Sequence, residues 1–219
     1  MRNTRRVLLG VLISMILVSS AFAADKKKRP SRESWQQVER VMKDFNFQEG
    51  DAVADVGCGS GYFTFRISKV VGEKGTVYAM DISEKALKGL RGKLKEEKTE
   101  NVELSISDPS DIRLDECTVD AAIIVNVLHH AKKDQRQPLI NSIAKALKPG
   151  GVLFIMDFKK EDNNPFHPKS MLVSREESIE LAKKAGLKPD AEFHYLKLQY
   201  FLRFRKPKPD EAENKEEAK

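Results

Sequence analysis

From residue 34 onward, short apolar runs alternate with longer stretches in which apolar residues recur every three or four positions. The first long stretch puts Trp35, Val38, Val41, Met42 and Phe45 on one stripe, which predicts a helix capped by Ser34 and running to Phe45. Gln48-Glu49-Gly50-Asp51 reads as a turn and Ala52–Val56 as a short buried strand. A glycine loop then opens a helix to Val71, ended by Gly72 and Gly75, and Thr76–Met80 is the second strand. Ser83 caps a helix with Ala86, Leu87, Leu90 and Leu94 inward. Val102–Ile106 and Ala121–Val125 are strands three and four. Leu139, Ile140, Ile143, Ala144 and Leu147 define a helix stopped by Pro149-Gly150-Gly151, before a fifth strand over Val152–Met156. Ser174 and Glu177 form a capping box for a helix to Ala185, with Gly186 past its end. Two late strands, Ala191–Leu196 and Gln199–Arg205, lie close enough to form a hairpin.

Alternating strand and helix units with a terminal hairpin predict an α/β fold. Its Rossmann-like, seven-stranded sheet is mostly parallel, with an antiparallel C-terminal hairpin and helices on both faces. Ligands of such sheets bind beyond the carboxyl ends of the strands, at the switch point. The folded domain is residues 34–205; residues 24–33 are a basic linker and 206–219 a charged tail without a packed core.

Residues 1–23 stand apart. Arg2, Arg5 and Arg6 precede the uncharged apolar run Val7–Ser20, and Ala21-Phe22-Ala23 sets small residues at a cleavage site. This predicts a signal peptide and an exported, periplasmic domain. Thr4–Leu9 loosely resembles a twin-arginine signal. Lys26, Lys27, Lys28 and Arg29 oppose translocation, so the alternative is an inner-membrane anchor through residues 7–24. If that segment is uncleaved, the membrane is met only through it. The net charge is +6, and Arg2, Arg5 and Arg6 carry half of it, so the domain has no strong basic field for nucleic acid. Cys58 and Cys117 are too few for a disulfide framework, and the histidines and cysteines show no metal-ligand spacing.

The densest chemistry lies in Val53-Ala54-Asp55-Val56-Gly57-Cys58-Gly59-Ser60-Gly61. Nicotinamide enzymes use G-x-G-x-x-G with a pyrophosphate on the helix end. Here the spacing is G-x-G-x-G, and Tyr62 stands where the last glycine would be. Asp55 would repel a pyrophosphate but suits the ammonium of an amino-acid ligand. Asp81, about 20 residues on at the end of the second strand, is placed to take both hydroxyls of a ribose.

With these residues in view, the stretch Asp51–Phe158 resembles a class I S-adenosylmethionine-dependent methyltransferase. Val53–Gly61 is similar to that family's first motif, with Asp55, Gly57, Gly59 and Gly61 at the cofactor. The resemblance makes Asp81 the ribose-binding acid, Ile82 the side chain against the adenine, and Asp108 a contact of the adenine amino group. Asp120–His130 resembles the fourth-strand motif and puts Asn126 near the methionine part. Leu147–Gly151 resembles the turn before the fifth strand. The implied cofactor is S-adenosyl-L-methionine, and the implied activity is direct in-line methyl transfer to a small-molecule or lipid acceptor.

Methyl transfer asks the protein mainly for proximity and orientation. A general base is needed only when the accepting atom carries a proton of high pKa. His129 and His130, after the fourth strand, are the candidates for that base. Tyr62 and Asp157 are candidates for contact with substrate, and Arg32 and Trp35 for a lid. The non-enzymatic alternative is an exported protein that binds S-adenosylmethionine or a nucleoside without turnover.

Overall fold

The computed structural model describes residues 31–161 and 164–210. The expected signal peptide, its alternative as a membrane anchor, most of the basic linker and most of the charged tail lie outside those residues. No helix among the described residues is long and apolar enough to cross a membrane.

The strands are β1 (Ala52–Val56), β2 (Thr76–Asp81), β3 (Val102–Ile106), β4 (Val119–Val125), β5 (Leu147–Phe158), β6 (Lys188–Phe193) and β7 (Gln199–Arg205). They form one seven-stranded sheet in the order β3-β2-β1-β4-β5-β7-β6. The first five are parallel, and β7 runs antiparallel to both β5 and β6. The Rossmann-like architecture expected from the alternation is therefore the one observed.

Period-two alternation sends neighbouring residues to opposite faces of the sheet. Val53, Ile123, Phe154 and Phe201 pack beneath α2 (Val38–Phe45) and α3 (Thr64–Val71), through Val41, Phe45, Ile67 and Val71. Ala54, Ile124, Ile155 and Leu202 pack on the other face against α5 (Lys133–Ala146) and α6 (Arg175–Lys184), through Leu139, Ile140, Ile143 and Leu181. Both faces are covered, so the central strands are continuous apolar runs. Between them in sequence, α4 (Glu84–Glu96) buries Leu87, Leu90 and Leu94 against Ala79 and Cys58. Ser83 caps α4 by accepting from Ala86 N at 3.3 Å, and Ser174 caps α6 by accepting from Glu177 N at 3.1 Å.

Of the boundaries that differ from the sequence reading, three have a structural cause. The helix expected over Ser34–Phe45 is two helices, α1 (Arg32–Gln36) and α2, separated by Gln37 in the left-handed region at φ 49°. The Gln37 side chain donates to Tyr195 O at 2.9 Å, a long-range bond that local periodicity does not report. The fifth strand begins at Leu147, because Leu147 pairs with Val119 before the register shifts between Val119 and Ala121. Lastly, β6 occupies Lys188–Phe193 rather than Ala191–Leu196, since it follows the register of β7. Cys58 and Cys117 are free thiols, the first buried and the second exposed.

Candidate functional site: a divided cleft and a buried histidine–aspartate pair

The chain moves outward from β1 to β2 and β3, then returns to β4 on the other side of β1. The loops after β1 and β4 therefore diverge at the carboxyl edge and leave a crevice between them. The β1 loop is tied down by Gly57 N and Cys58 N, which donate to Met80 O at 2.8 and 3.0 Å. A Cβ on Gly57 would stand 2.4 Å from Val127 Cγ2 of the opposite loop. A Cβ on Gly61 would stand 2.4 Å from Leu90 Cδ1, so glycine is what lets α4 approach. Gly59 differs. At φ +55° its Cβ would meet nothing within 4 Å, because the residue looks into open space. A side chain there would be both strained and in the way of a ligand.

A cleft of about 610 Å³ runs along this edge, with Asp81, Ile82, Ser107, Asp108, Asn126 and His130 in its walls. Asp81 Oδ2 accepts from Gly59 N at 2.9 Å and Oδ1 from Ser83 N at 2.8 Å. Each oxygen keeps a further acceptor position, side by side, as a vicinal diol requires. Ile82 is 61% exposed, an unusual place for a large apolar side chain unless a ligand covers it. Asp108 Oδ2 holds Arg113 through two bonds of 3.0 and 2.7 Å.

A smaller compartment of about 190 Å³ shares Gly57 and Asn126 with the first and adds Arg32, Asp55, Gly59 and Tyr62. The buried Asp55 accepts from Thr64 Oγ1 at 2.6 Å. Burial pushes its carboxyl up to about 6, against the pull of Thr64 and of the nearby Arg32 charge. It is still largely ionised at neutral pH. Tyr62 donates to Glu33 Oε1 at 2.7 Å, and Arg32 lies 4.2 Å above its ring. Cys58 is no nucleophile, since burial drives its thiol far above the ordinary range. Among the described residues no group of His, Cys, Asp and Glu is arranged to hold a metal ion.

These compartments fit S-adenosylmethionine: an apolar side and a diol-matched acid for the adenosine, and an ionised acid for the ammonium. Gly59 clears the space between them.

The third part of the site follows β4 and β5. Asp157 is buried, and its carboxylate accepts from Phe158 N at 2.7 Å, from His129 N at 3.2 Å and from His129 Nδ1 at 2.6 Å. Since a carboxylate only accepts, Nδ1 carries a proton. Nε2 is buried without a hydrogen-bond partner among the described residues. Leaving a buried polar atom unmet costs about 1–3 kcal/mol. The His129 ring is 4.0 Å from His130, 4.4 Å from His167 and 5.7 Å from Phe158, between centroids. Phe158 packs on Phe166 and on Trp35, which closes the cluster with α1. Burial, followed by His129 and His167, lowers His130 below its ordinary value, which favours its neutral form.

Asp55, Gly57, Gly59, Asp81, Ile82, Asp108 and Asn126 thus stand around one crevice, and Tyr62 and His130 line it as well. Gly61 lies behind the loop, packed on Leu90. Neither His129 nor Asp157 lines either compartment; both are buried beside them, with Asp157 orienting the His129 ring. Trp35 leaves the core stripe for Phe158 at the end of β5 and Phe166 in the loop beyond it. Sequence reasoning did not single out Gln36, Gln199 or Phe166. Gln199 carried a signal, an uncharged polar residue at the head of the apolar run Tyr200-Phe201-Leu202, whereas helical spacing puts Gln36 on the charged face with Arg40 and Lys43.

Residues 53–151 match the model of a family described as a methyltransferase domain. Demethylmenaquinone methyltransferase of Staphylococcus aureus (strain JH9) is 32% identical over 118 residues, which are 54% of this chain and 47% of that protein. The chain spans about half the length of the curated relatives it matches. A SAM-dependent methyltransferase from Aquifex aeolicus has a similar structure, with a TM-score of 0.74 and 29% identity over 81% of this chain and 93% of that one. The [4+2]-cyclase SpnF shares the fold at a TM-score of 0.66 and 18% identity, covering 84% of this chain and 85% of its own. Residues 53–151 are thus similar to a methyltransferase domain, and such a domain takes S-adenosylmethionine as its cofactor. A cyclase on the same fold shows that the reaction at the acceptor must be argued from the site itself.

Proposed function

We propose that the protein transfers a methyl group to a small planar acceptor bearing an acidic hydroxyl, of the quinol type, with His129 as the general base. The observation that carries this reading is the buried His129–Asp157 pair with its unpartnered Nε2. An acceptor that is already nucleophilic, such as a free amine, needs no such base. Bound S-adenosylmethionine supplies an electrophilic methyl group. Asp157 holds the tautomer in which His129 Nε2 takes the hydroxyl proton, and it stabilises the imidazolium that results. Trp35 and Phe166, both half-buried, offer flat apolar surface on which a ring can stack. The name of the Staphylococcus aureus relative points to the same acceptor class.

The test is transfer of label from methyl-labelled S-adenosylmethionine to a panel of reduced naphthoquinones, simple phenols and primary amines. We expect label in the quinol fraction and none in the amines. Cofactor binding with no transfer to any acceptor would favour the binding-only alternative. Transfer to amines that survives His129→Ala would remove the base from the reaction.

A further inference from the structure

A chain of four side chains crosses the domain behind the smaller compartment. Arg32 Nε donates to Gln36 Oε1 at 2.5 Å, Gln36 Nε2 donates to Gln199 Oε1 at 3.0 Å, and Gln199 Nε2 donates to Asn126 Oδ1 at 2.6 Å. Gln36 and Gln199 are buried, at 0% and 1% exposure, in an otherwise apolar layer. Burying two amides there is costly unless each is fully paired. They are widely separated in sequence, on α1 and at the start of β7.

The direction of this chain follows from chemistry. Arginine has no acceptor, so the Gln36 atom facing it is the oxygen. The other Gln36 atom is then the nitrogen, which must meet the Gln199 oxygen. That leaves the Gln199 nitrogen to meet the Asn126 oxygen. Asn126 is therefore locked with its amide NH₂ on the side away from Gln199. Asn126 lines both compartments of the cleft and holds a left-handed backbone at φ 58° directly after β4. At the other end of the chain, Arg32 also lines the smaller compartment, with its guanidinium over the Tyr62 and Phe63 rings. Both ends of the chain thus bring donors to one cavity of about 190 Å³, which Asp55 supplies with a negative charge. One acid, one guanidinium and one amide donor form the complement of a zwitterionic amino acid.

We infer that Arg32 and Asn126 together bind the α-carboxylate of the cofactor's methionine end, and that Gln36 and Gln199 are positioning residues that keep Asn126 turned to donate. The inference rests on S-adenosylmethionine being the ligand, and it adds which residues read its carboxylate. It also gives α1 a function: the segment that carries Arg32 closes over the methionine end of the cleft.

The experiment is calorimetric titration with three nucleosides. S-adenosylhomocysteine has the carboxylate, its decarboxylated analogue lacks only that group, and 5′-methylthioadenosine lacks the whole amino-acid end. The wild type should prefer S-adenosylhomocysteine over the decarboxylated analogue roughly ten- to hundredfold, the range of charge-assisted bonds to one carboxylate. Arg32→Ala should remove most of that preference, and Arg32→Lys should restore part of it. Gln199→Glu, which accepts but cannot donate, should turn Asn126 round and cut the preference severalfold with Arg32 still present. Affinity for 5′-methylthioadenosine should be the same in every variant, which also certifies that each is folded. If Arg32→Ala weakens S-adenosylhomocysteine and its decarboxylated analogue equally, or neither, Arg32 does not read the carboxylate and the inference falls. If the wild type binds none of the three nucleosides, the cofactor assignment itself falls, and this inference with it.

Discussion

The two halves of the site are built in different ways. The cofactor half is local: Asp55, Gly57, Gly59 and Asp81 sit within two strand ends, and the loop is tied to β2 by two backbone bonds. The acceptor half is assembled from afar. His129 follows β4, Asp157 ends β5, Phe166 and His167 come from the loop after β5, and Trp35 comes from α1. Backbone donors and short turns are enough to set the glycine loop and its acids in place. A specific acceptor needs side chains that converge from separate elements. Local motifs therefore identify the cofactor, whereas only the packed structure shows which side chains gather around His129.

The sharpest way to break this division is His129→Ala. It should lower methyl transfer by about 10²–10⁴-fold, the usual weight of a positioned base, and leave calorimetric binding of S-adenosylmethionine unchanged. Loss of both together would mean that the halves are not independent. Asp157→Asn tests the same pair by removing the acceptor of Nδ1–H, and should also cut the rate without touching cofactor affinity. On the other side, Asp81→Ala should weaken binding of the cofactor and of adenosine alike by roughly ten- to hundredfold, since charge-assisted bonds to both hydroxyls are lost. Equal affinities for wild type and variant would remove Asp81 from the ribose.

A smaller effect separates stability from function. The Asp55 carboxyl is raised in the folded state from 3.8 to about 6, so the folded protein holds that proton more tightly than the unfolded chain. Ionising it therefore costs stability as pH climbs through that window. Asp55→Asn should raise the stability of the cofactor-free protein at pH 7 by roughly 1–3 kcal/mol, read by thermal or urea unfolding. The same change should weaken S-adenosylmethionine binding, and wild-type affinity should decline as pH falls below about 6. A destabilised Asp55→Asn protein would show that the carboxylate is structural. The smallest effect is expected from Ile82→Ala, a loss of a few-fold in adenosine affinity for the apolar area withdrawn.

Alternating apolar runs were enough to read the sheet, because a strand covered on both faces has little choice of composition. The glycine spacing with Asp55 and Asp81 was enough to read the cofactor cleft, because those residues act within single turns. The break at Gln37 was not legible, since it depends on a bond to Tyr195 O that is distant in sequence. The role of Asp157 was not legible either. Sequence places it at the carboxyl edge as a candidate contact of substrate, and the fold turns it inward against His129.

What the chain determined by itself was the order of strands and helices, the glycine loop and the acids at the strand ends, all set by short-range periodicity and turn chemistry. Tertiary structure alone decided which imidazole has a buried partner. It also decided which way round the Asn126 amide stands, because that orientation is passed from Arg32 through Gln36 and Gln199. A hydrogen bond between distant residues exists only once packing has brought donor and acceptor together, and no local pattern encodes its direction.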